Sequence, residues 1–194
     1  MSKRIALLSA AAFGALALTA TLVAPVSAQD KMMKSEMSGE KTVMVGGAAM
    51  FPSKNIIQNA VNSKDHTTLV AAVKAAGLVE TLEGKGPFTV FAPTNAAFGK
   101  LPAGTVDTLV KPENKATLTK ILTYHVVPGK LEASSLTDGK KLKTVEGEEL
   151  TVKHQDGKIW IVDAKGGTSM VTISNVNQSN GVIHVVDTVL MPAS

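Results

Sequence analysis

Leu150-Thr151-Val152-Lys153-His154-Gln155-Asp156-Gly157-Lys158-Ile159-Trp160-Ile161 alternates apolar and polar side chains on both sides of an Asp-Gly pair. Period-two alternation marks a strand with one buried face, and Asp-Gly between two such runs predicts a two-residue hairpin turn. That turn pairs Gln155 with Lys158, His154 with Ile159, Lys153 with Trp160 and Val152 with Ile161. Leu150, Val152, His154, Ile159 and Ile161 then form the core side. Thr151, Lys153, Gln155, Lys158 and Trp160 form the other. The only tryptophan of the chain is therefore expected on a polar face beside Lys153. Two readings stay open for it. One is a surface ring shielded by the lysine stem, with a cation–π contribution of ~0.5–1 kcal/mol. The other is an aromatic platform for a glycan or a partner protein.

Working outward, Leu142 to Val145, Met170 to Ser174 and Val182 to Leu190 add further strand signals after Pro128-Gly129. Ahead of that point the period is nearer 3.6. Asn55 to Val61 reads as a short helix. A stronger one follows, with Leu69, Val70, Val73 and Ala76 on one face, Asp65 or His66 as its cap and Gly77 as its stop. Pro87 to Ala92 reads as a buried strand that Pro93 ends, and Thr94 caps a brief helix through Phe98. Pro102 to Val110 and Ala116 to Thr123 supply two more helical segments. Helices first and an antiparallel-looking strand series second is an α+β pattern, without the βαβ alternation that builds a parallel sheet. No internal duplication is present, so one domain is expected, over residues 52–194.

The chain opens with Lys3 and Arg4, then an uncharged Ala/Leu-rich stretch from Ile5 to Ala24, then Val26-Ser27-Ala28. That is the layout of a signal peptide over residues 1–28, cleaved after Ala28. An uncleaved membrane anchor is the alternative, since the stretch approaches the ~20 residues that span a bilayer. Residues 29–51 mix charge, Gly and Ser with a cluster of Met, and read as a flexible leader. The Met cluster also invites a Cu(I) reading through soft thioether sulfur, but no His or Cys lies nearby to complete such a site. The protein is thus expected to be exported, either to the periplasm or beyond the cell, and not membrane-embedded after cleavage.

Composition narrows the chemistry. Lys3 and Arg4 are the charged residues of the first 28, so the net charge of +4 falls to +2 without them. Nucleic acid is not expected as a partner of so nearly neutral a chain. There is no cysteine, which excludes disulfides, Cys metal sites, Cys nucleophiles and a lipidated cysteine. A domain of about 140–150 residues holds itself together by burying roughly two-thirds of its unfolded surface. The four histidines are His66, His125, His154 and His184, and no two stand three or four apart, as metal ligands on a helix would. A Ser-His-Asp arrangement is not excluded by counting. However, the sequence has no Gly-x-Ser-x-Gly elbow, Walker loop, His-Glu-x-x-His or dinucleotide fingerprint. No catalytic residue, metal ligand or cofactor is expected.

Three stretches carry a likeness to a known family: Phe88-Thr89-Val90-Phe91-Ala92-Pro93-Thr94-Asn95-Ala96-Ala97-Phe98, Ile121-Leu122-Thr123-Tyr124-His125-Val126-Val127-Pro128-Gly129 and Asn180-Gly181-Val182-Ile183-His184-Val185-Val186-Asp187-Thr188-Val189-Leu190. In order and approximate spacing they resemble the fasciclin domain, over about residues 52–192. The resemblance implies a wedge or sandwich of β-strands with helices packed at one side. It also implies a secreted or surface protein working in adhesion, without enzymatic activity, on a matrix or surface protein or a polysaccharide. Tyr124-His125 matches the family's Tyr-His motif, which has been linked to adhesion. From residue environment alone the pair has two readings: core, with both polar groups satisfied internally, or a contact for a partner. Thr168 to Asn180 holds no acidic residue and the chain has no Arg-Gly-Asp, so the integrin-type recognition of animal relatives is not implied. Tyr124, His125, Lys153 and Trp160 are the candidate partner-binding residues. A carrier for a small hydrophobic ligand is the alternative function, and a hydrolase with an unfamiliar site a more distant one.

Overall fold

The computed structural model describes residues 40–193. The expected signal peptide and the Met-rich residues 30–37 lie outside the described residues. The expected leader over 29–51 is corrected at its C-terminal end. Val43–Val45 (β1) and Ala48–Met50 (β2) form a small antiparallel hairpin. Val45 and Met50 are buried in the main core, which is why this stretch is ordered: two large apolar side chains leave water, each contributing about 1.5–3 kcal/mol.

Among the described residues, α-helices Ile56–Ala60 (α1), Thr67–Ala76 (α2), Val79–Glu83 (α3), Asn95–Gly99 (α4) and Thr105–Leu109 (α5) precede the sheet-rich half. A sixth, Lys115–Tyr124 (α6), ends at the Tyr-His pair. Asn55 and Gln58 form a reciprocal capping box on α1. Gly77, at φ +73°, stops α2 as expected. Neither Asp65 nor His66 caps α2 through its side chain. The cap comes from Asn95, whose Oδ1 accepts the Thr68 N–H at 3.0 Å while its Nδ2 donates to the Lys64 carbonyl. Thr94 caps α4 through the Ala97 N–H at 3.2 Å. Val79–Glu83 has too few periodic positions to be recognised beforehand.

Seven strands form one sheet in the order β4-β3-β9-β8-β7-β6-β5. They are Phe88–Pro93 (β3), Val126–Pro128 (β4), Lys141–Lys143 (β5), Glu149–Gln155 (β6), Lys158–Val162 (β7), Thr168–Gln178 (β8) and Gly181–Val186 (β9). The α+β class holds, with one correction. The strands are not all antiparallel, because β3 and β9 run parallel with Phe88 opposite Gly181 and Pro93 opposite Val186. The two are far apart in sequence, so no hairpin alternation could reveal the pairing. Gly181 permits it: a Cβ there would stand 2.0 Å from the Phe88 carbonyl oxygen. Strand β8 joins two halves of the sheet. Its first residues pair with β7 and its remainder with β9, with bulges between Val171 and Val176 that bend the long strand.

The bend divides the core. Helices α1, α2 and α6 pack with β3 and β9 over Leu69, Val73, Leu118, Ile121, Val90, Ile183 and Val185. Phe91, Tyr124, Leu136, Leu142, Leu150, Val152, Ile161 and Leu190 fill a second cluster under β5, β6 and β7. The result is a strand wedge with helices at one side.

Candidate functional site

The second and third motif stretches meet inside the molecule. Tyr124 is fully buried at the end of α6. Its hydroxyl donates to the Glu149 carbonyl at 3.3 Å and accepts the Ala164 N–H at 2.8 Å. Burial pushes that hydroxyl up to about 12, so it stays protonated. His125 is 2% exposed. Its Nδ1–H donates to the Ile121 carbonyl at 2.8 Å and its Nε2 accepts the Leu190 N–H at 2.9 Å. Desolvation lowers it to about 4, so the ring is a neutral imidazole of one tautomer, held by two backbone groups. Of the two readings of Tyr124-His125, this burial favours the core one: the pair clamps α6 to Leu190 and to the β7–β8 turn.

His184 behaves in the same way from β9. Its Nε2–H donates to the Leu131 carbonyl at 2.7 Å, and its ring stacks on Phe91 with centroids 5.7 Å apart. Burial lowers its pKa. His66 is buried too, with Nδ1 2.9 Å from the Ser63 hydroxyl and Nε2 without a partner. Burial lowers its pKa as well. His66 borders an apolar cavity of about 20 Å³ lined also by Val45, Met50, Ile56 and Val90. A second apolar cavity, bordered by His125, Leu69 and Leu122, measures about 30 Å³. Each has room for about one water. A larger cleft of about 510 Å³ opens between Lys41–Val43, Met50, Pro52, Glu132, Ser174, Asn175 and Asn177, with polar and apolar groups mixed in its lining. Among the described residues, no three His, Asp or Glu side chains come together as metal ligands. No helix among them is long and apolar enough to cross a membrane.

The hairpin has the expected register, from Gln155 opposite Lys158 to Val152 opposite Ile161. Asp156 and Gly157 take φ of +52° and +72°, the type I′ geometry that Asp-Gly favours. Leu150, Val152 and Ile161 are fully buried. His154 is the exception on that face: it is exposed, because β6 runs past the end of the core, and its Nε2–H donates to the Leu136 carbonyl. Lys153 is exposed opposite Trp160, which is half-buried with Met170 across its other side. The indole Nε1–H is enclosed without a partner. Lys153 makes no cation–π contact with it; among the described residues that contact is Lys54 over Phe51, at 4.9 Å. Of the four candidates, Lys153 and Trp160 therefore share the outer face and Tyr124 and His125 share the core.

Sequence reasoning passed over Asn180, which precedes β9. Its Oδ1 accepts the Ile56 N–H at 3.1 Å, and its Nδ2 donates to the carbonyls of Leu82 and Gly84 at 2.6 and 3.0 Å. One amide thus joins two helix ends to a strand. Its place in the third motif stretch was the available signal.

Comparison with known proteins agrees with this geometry. Residues 64–192 match the sequence model of the Fasciclin domain. The chain belongs to the fasciclin domain family. Protein sll1483 of Synechocystis sp. is 51% identical over 153 residues, spanning 79% of this chain and 82% of the relative. Immunogenic protein MPB70 of Mycobacterium bovis is 35% identical over 195 residues, 97% of this chain and 96% of its own. Cell surface glycolipoprotein MPB83 of the same species is 39% identical over 153 residues, 76% of this chain and 64% of its own. Among solved structures, the fasciclin domain pair of the insect cell adhesion molecule fasciclin I superposes with a TM-score of 0.65 at 17% identity, covering 78% of this chain and 58% of that one. At that identity the likeness concerns the fold. It places this fasciclin domain in the expected architecture, an α+β strand wedge.

Proposed function

We propose that this fasciclin-domain protein is exported and works as an adhesion module, contacting a matrix or surface protein or a polysaccharide without turning over a substrate. One observation carries the reading. Tyr124, His125 and His184, side chains from which chemistry could be built, are all engaged with backbone groups inside the core, whereas Lys143, Lys153 and Lys158, which have no ion pair among the described residues, gather with Trp160 on the outer face of β5, β6 and β7. The sequence pattern of residues 1–28 supports export. So does similarity to a cell surface glycolipoprotein of Mycobacterium bovis.

The carrier alternative has less support. Ligand sites for small molecules measure about 300–1,000 Å³ and are mostly apolar. The enclosed apolar cavities of this domain hold about 20 and 30 Å³. The roomier cleft of about 510 Å³, though in that size range, has Lys41, Glu132 and Asn175 among its lining beside Val43 and Met50 rather than a continuous apolar wall. A hydrolase would need a nucleophile beside an accessible base, and the buried histidines do not offer one.

The test is retention of the purified chain on isolated cell envelopes and on immobilised matrix polysaccharides. Adhesion predicts saturable retention that Trp160→Ala weakens when it is compared well below its melting temperature. Tyr124→Phe, compared well below its melting temperature, is retained like the parent. A chain retained by neither envelopes nor matrix would remove the reading.

A further inference from the structure

Strand pairing places four lysines in one diagonal line that the linear sequence does not display. Lys143 and Lys141 follow each other on the outer face of β5, opposite Glu149 and Thr151 of β6. Lys153 stands one position further along β6, and Lys158 one further again on β7, opposite Gln155. All four are exposed. With strands ~4.8 Å apart and same-face residues ~6.8 Å apart along a strand, successive lysines root ~7–8 Å apart, and the line runs roughly 20–25 Å. Trp160 borders it, next to Lys153 across the ladder and two residues from Lys158 along β7.

The line is short of counter-charge. Glu149 is the single carboxylate of this face among the paired positions, and it bridges Lys141 at 3.3 Å. Among the described residues Lys143, Lys153 and Lys158 have no ion pair. A protein normally intersperses both signs on its surface. Three cations without an ion pair among the described residues, in register beside a half-buried indole, are therefore a specific arrangement, whose fit depends on the partner.

We propose that this face binds a linear acidic polysaccharide, its repeated carboxylate or sulfate groups following the Lys143-Lys141-Lys153-Lys158 diagonal and a sugar ring resting against Trp160. The assignment rests on the adhesion reading above and names its partner. Charge complementarity selects a polyanion. A single aromatic ring does not supply the successive stacking platforms that single-stranded nucleic acid uses. A protein partner would favour an aromatic or arginine-rich patch, since lysine is depleted from protein interfaces.

Trp160 is the chain's one tryptophan, so its emission reports on this face directly. The full chain is titrated with alginate, with dextran sulfate, with neutral dextran and with a single-stranded oligonucleotide. Alginate, dextran sulfate or both are expected to change the emission and bind saturably, with affinity falling as salt is raised; the two arms separate carboxylate from sulfate recognition. Neutral dextran is expected to do neither. Combined Lys143→Gln, Lys153→Gln and Lys158→Gln should weaken binding about tenfold, each exposed pair contributing a few-fold, with an unchanged melting curve. Lys74→Gln with Lys85→Gln, on the helical side, should leave it intact. Equal binding of neutral dextran, unchanged affinity in the triple variant, tighter binding of the oligonucleotide, or no binding of either acidic polymer would each overturn the proposal. If the triple variant is still retained by cell envelopes like the parent, adhesion stands and this face is not its site. If the parent is not retained either, both fall.

Discussion

The imidazole of His125 accepts the backbone N–H of Leu190 at 2.9 Å while donating to the Ile121 carbonyl at 2.8 Å. One side chain thereby ties the last turn of α6 to the end of the domain, 65 residues later. The bond from Leu190 requires an unprotonated Nε2. Protonation would turn the acceptor into a donor facing a donor, inside the core.

Stability should therefore fall as the solution is acidified. His125 titrates near 6.5 when unfolded and near 4 when folded. Between these values the unfolded chain binds a proton that the native ring does not, so the contribution is complete above about pH 6.5 and is lost as pH falls toward 4. It amounts to about 3 kcal/mol for the fully buried ring. His66 and His184, lowered by burial as well, act in the same direction. Urea midpoints at pH 7.5, 6.0 and 5.0 should decline in that order. His125→Gln should start less stable and show a shallower decline.

Tyr124→Phe should destabilise without touching any surface function. The hydroxyl's loss leaves the Ala164 N–H and the Glu149 carbonyl without their partner. A buried polar group left unpaired costs about 1–3 kcal/mol. Chemical denaturation should show the loss, while alginate titration below the melting temperature should match the parent. A weaker affinity in the intact variant would return the Tyr-His pair to the contact surface.

Asn180→Ala should cost more, about 3 kcal/mol or beyond, because two buried backbone groups and a partly buried third lose their partner together. Asn180→Asp should not restore stability. Its carboxylate still accepts from Ile56 but faces the carbonyls of Leu82 and Gly84 with no proton to donate. Melting temperatures of the two variants decide the point.

Gly181→Ala should prevent folding. The added methyl would meet the Phe88 carbonyl at 2.0 Å, and the obstacle is backbone rather than a movable side chain. Neither β3 nor β9 can yield without losing the central parallel pair. Losses above about 4 kcal/mol have such specific causes. The variant should lack a cooperative unfolding transition, whereas Gly99→Ala, where nothing stands within 4 Å, should melt like the parent.

What could be read from the chain was local. Asp156-Gly157 dictates the hairpin register because a two-residue turn admits one pairing. Thr94 and Gly77 mark helix ends because capping acts within three or four residues. The motif stretches carried the family and hence the α+β wedge. Export and the Met-rich leader remain sequence readings, since those residues lie outside the described ones.

What only tertiary structure decided involves residues distant in the chain. The parallel pairing of β3 with β9, the capping of α2 by Asn95 and the hub at Asn180 have no periodicity to announce them. The same holds for burial. Tyr124-His125 is compatible with core or surface until α6 is packed, and His154 leaves the core only because β6 outruns it. Lys141 and Lys158 are separated by seventeen positions, yet β6 lies between their strands and aligns them. Sequence records which residues neighbour along the backbone; strand order decides which charges neighbour in space, and recognition depends on the second.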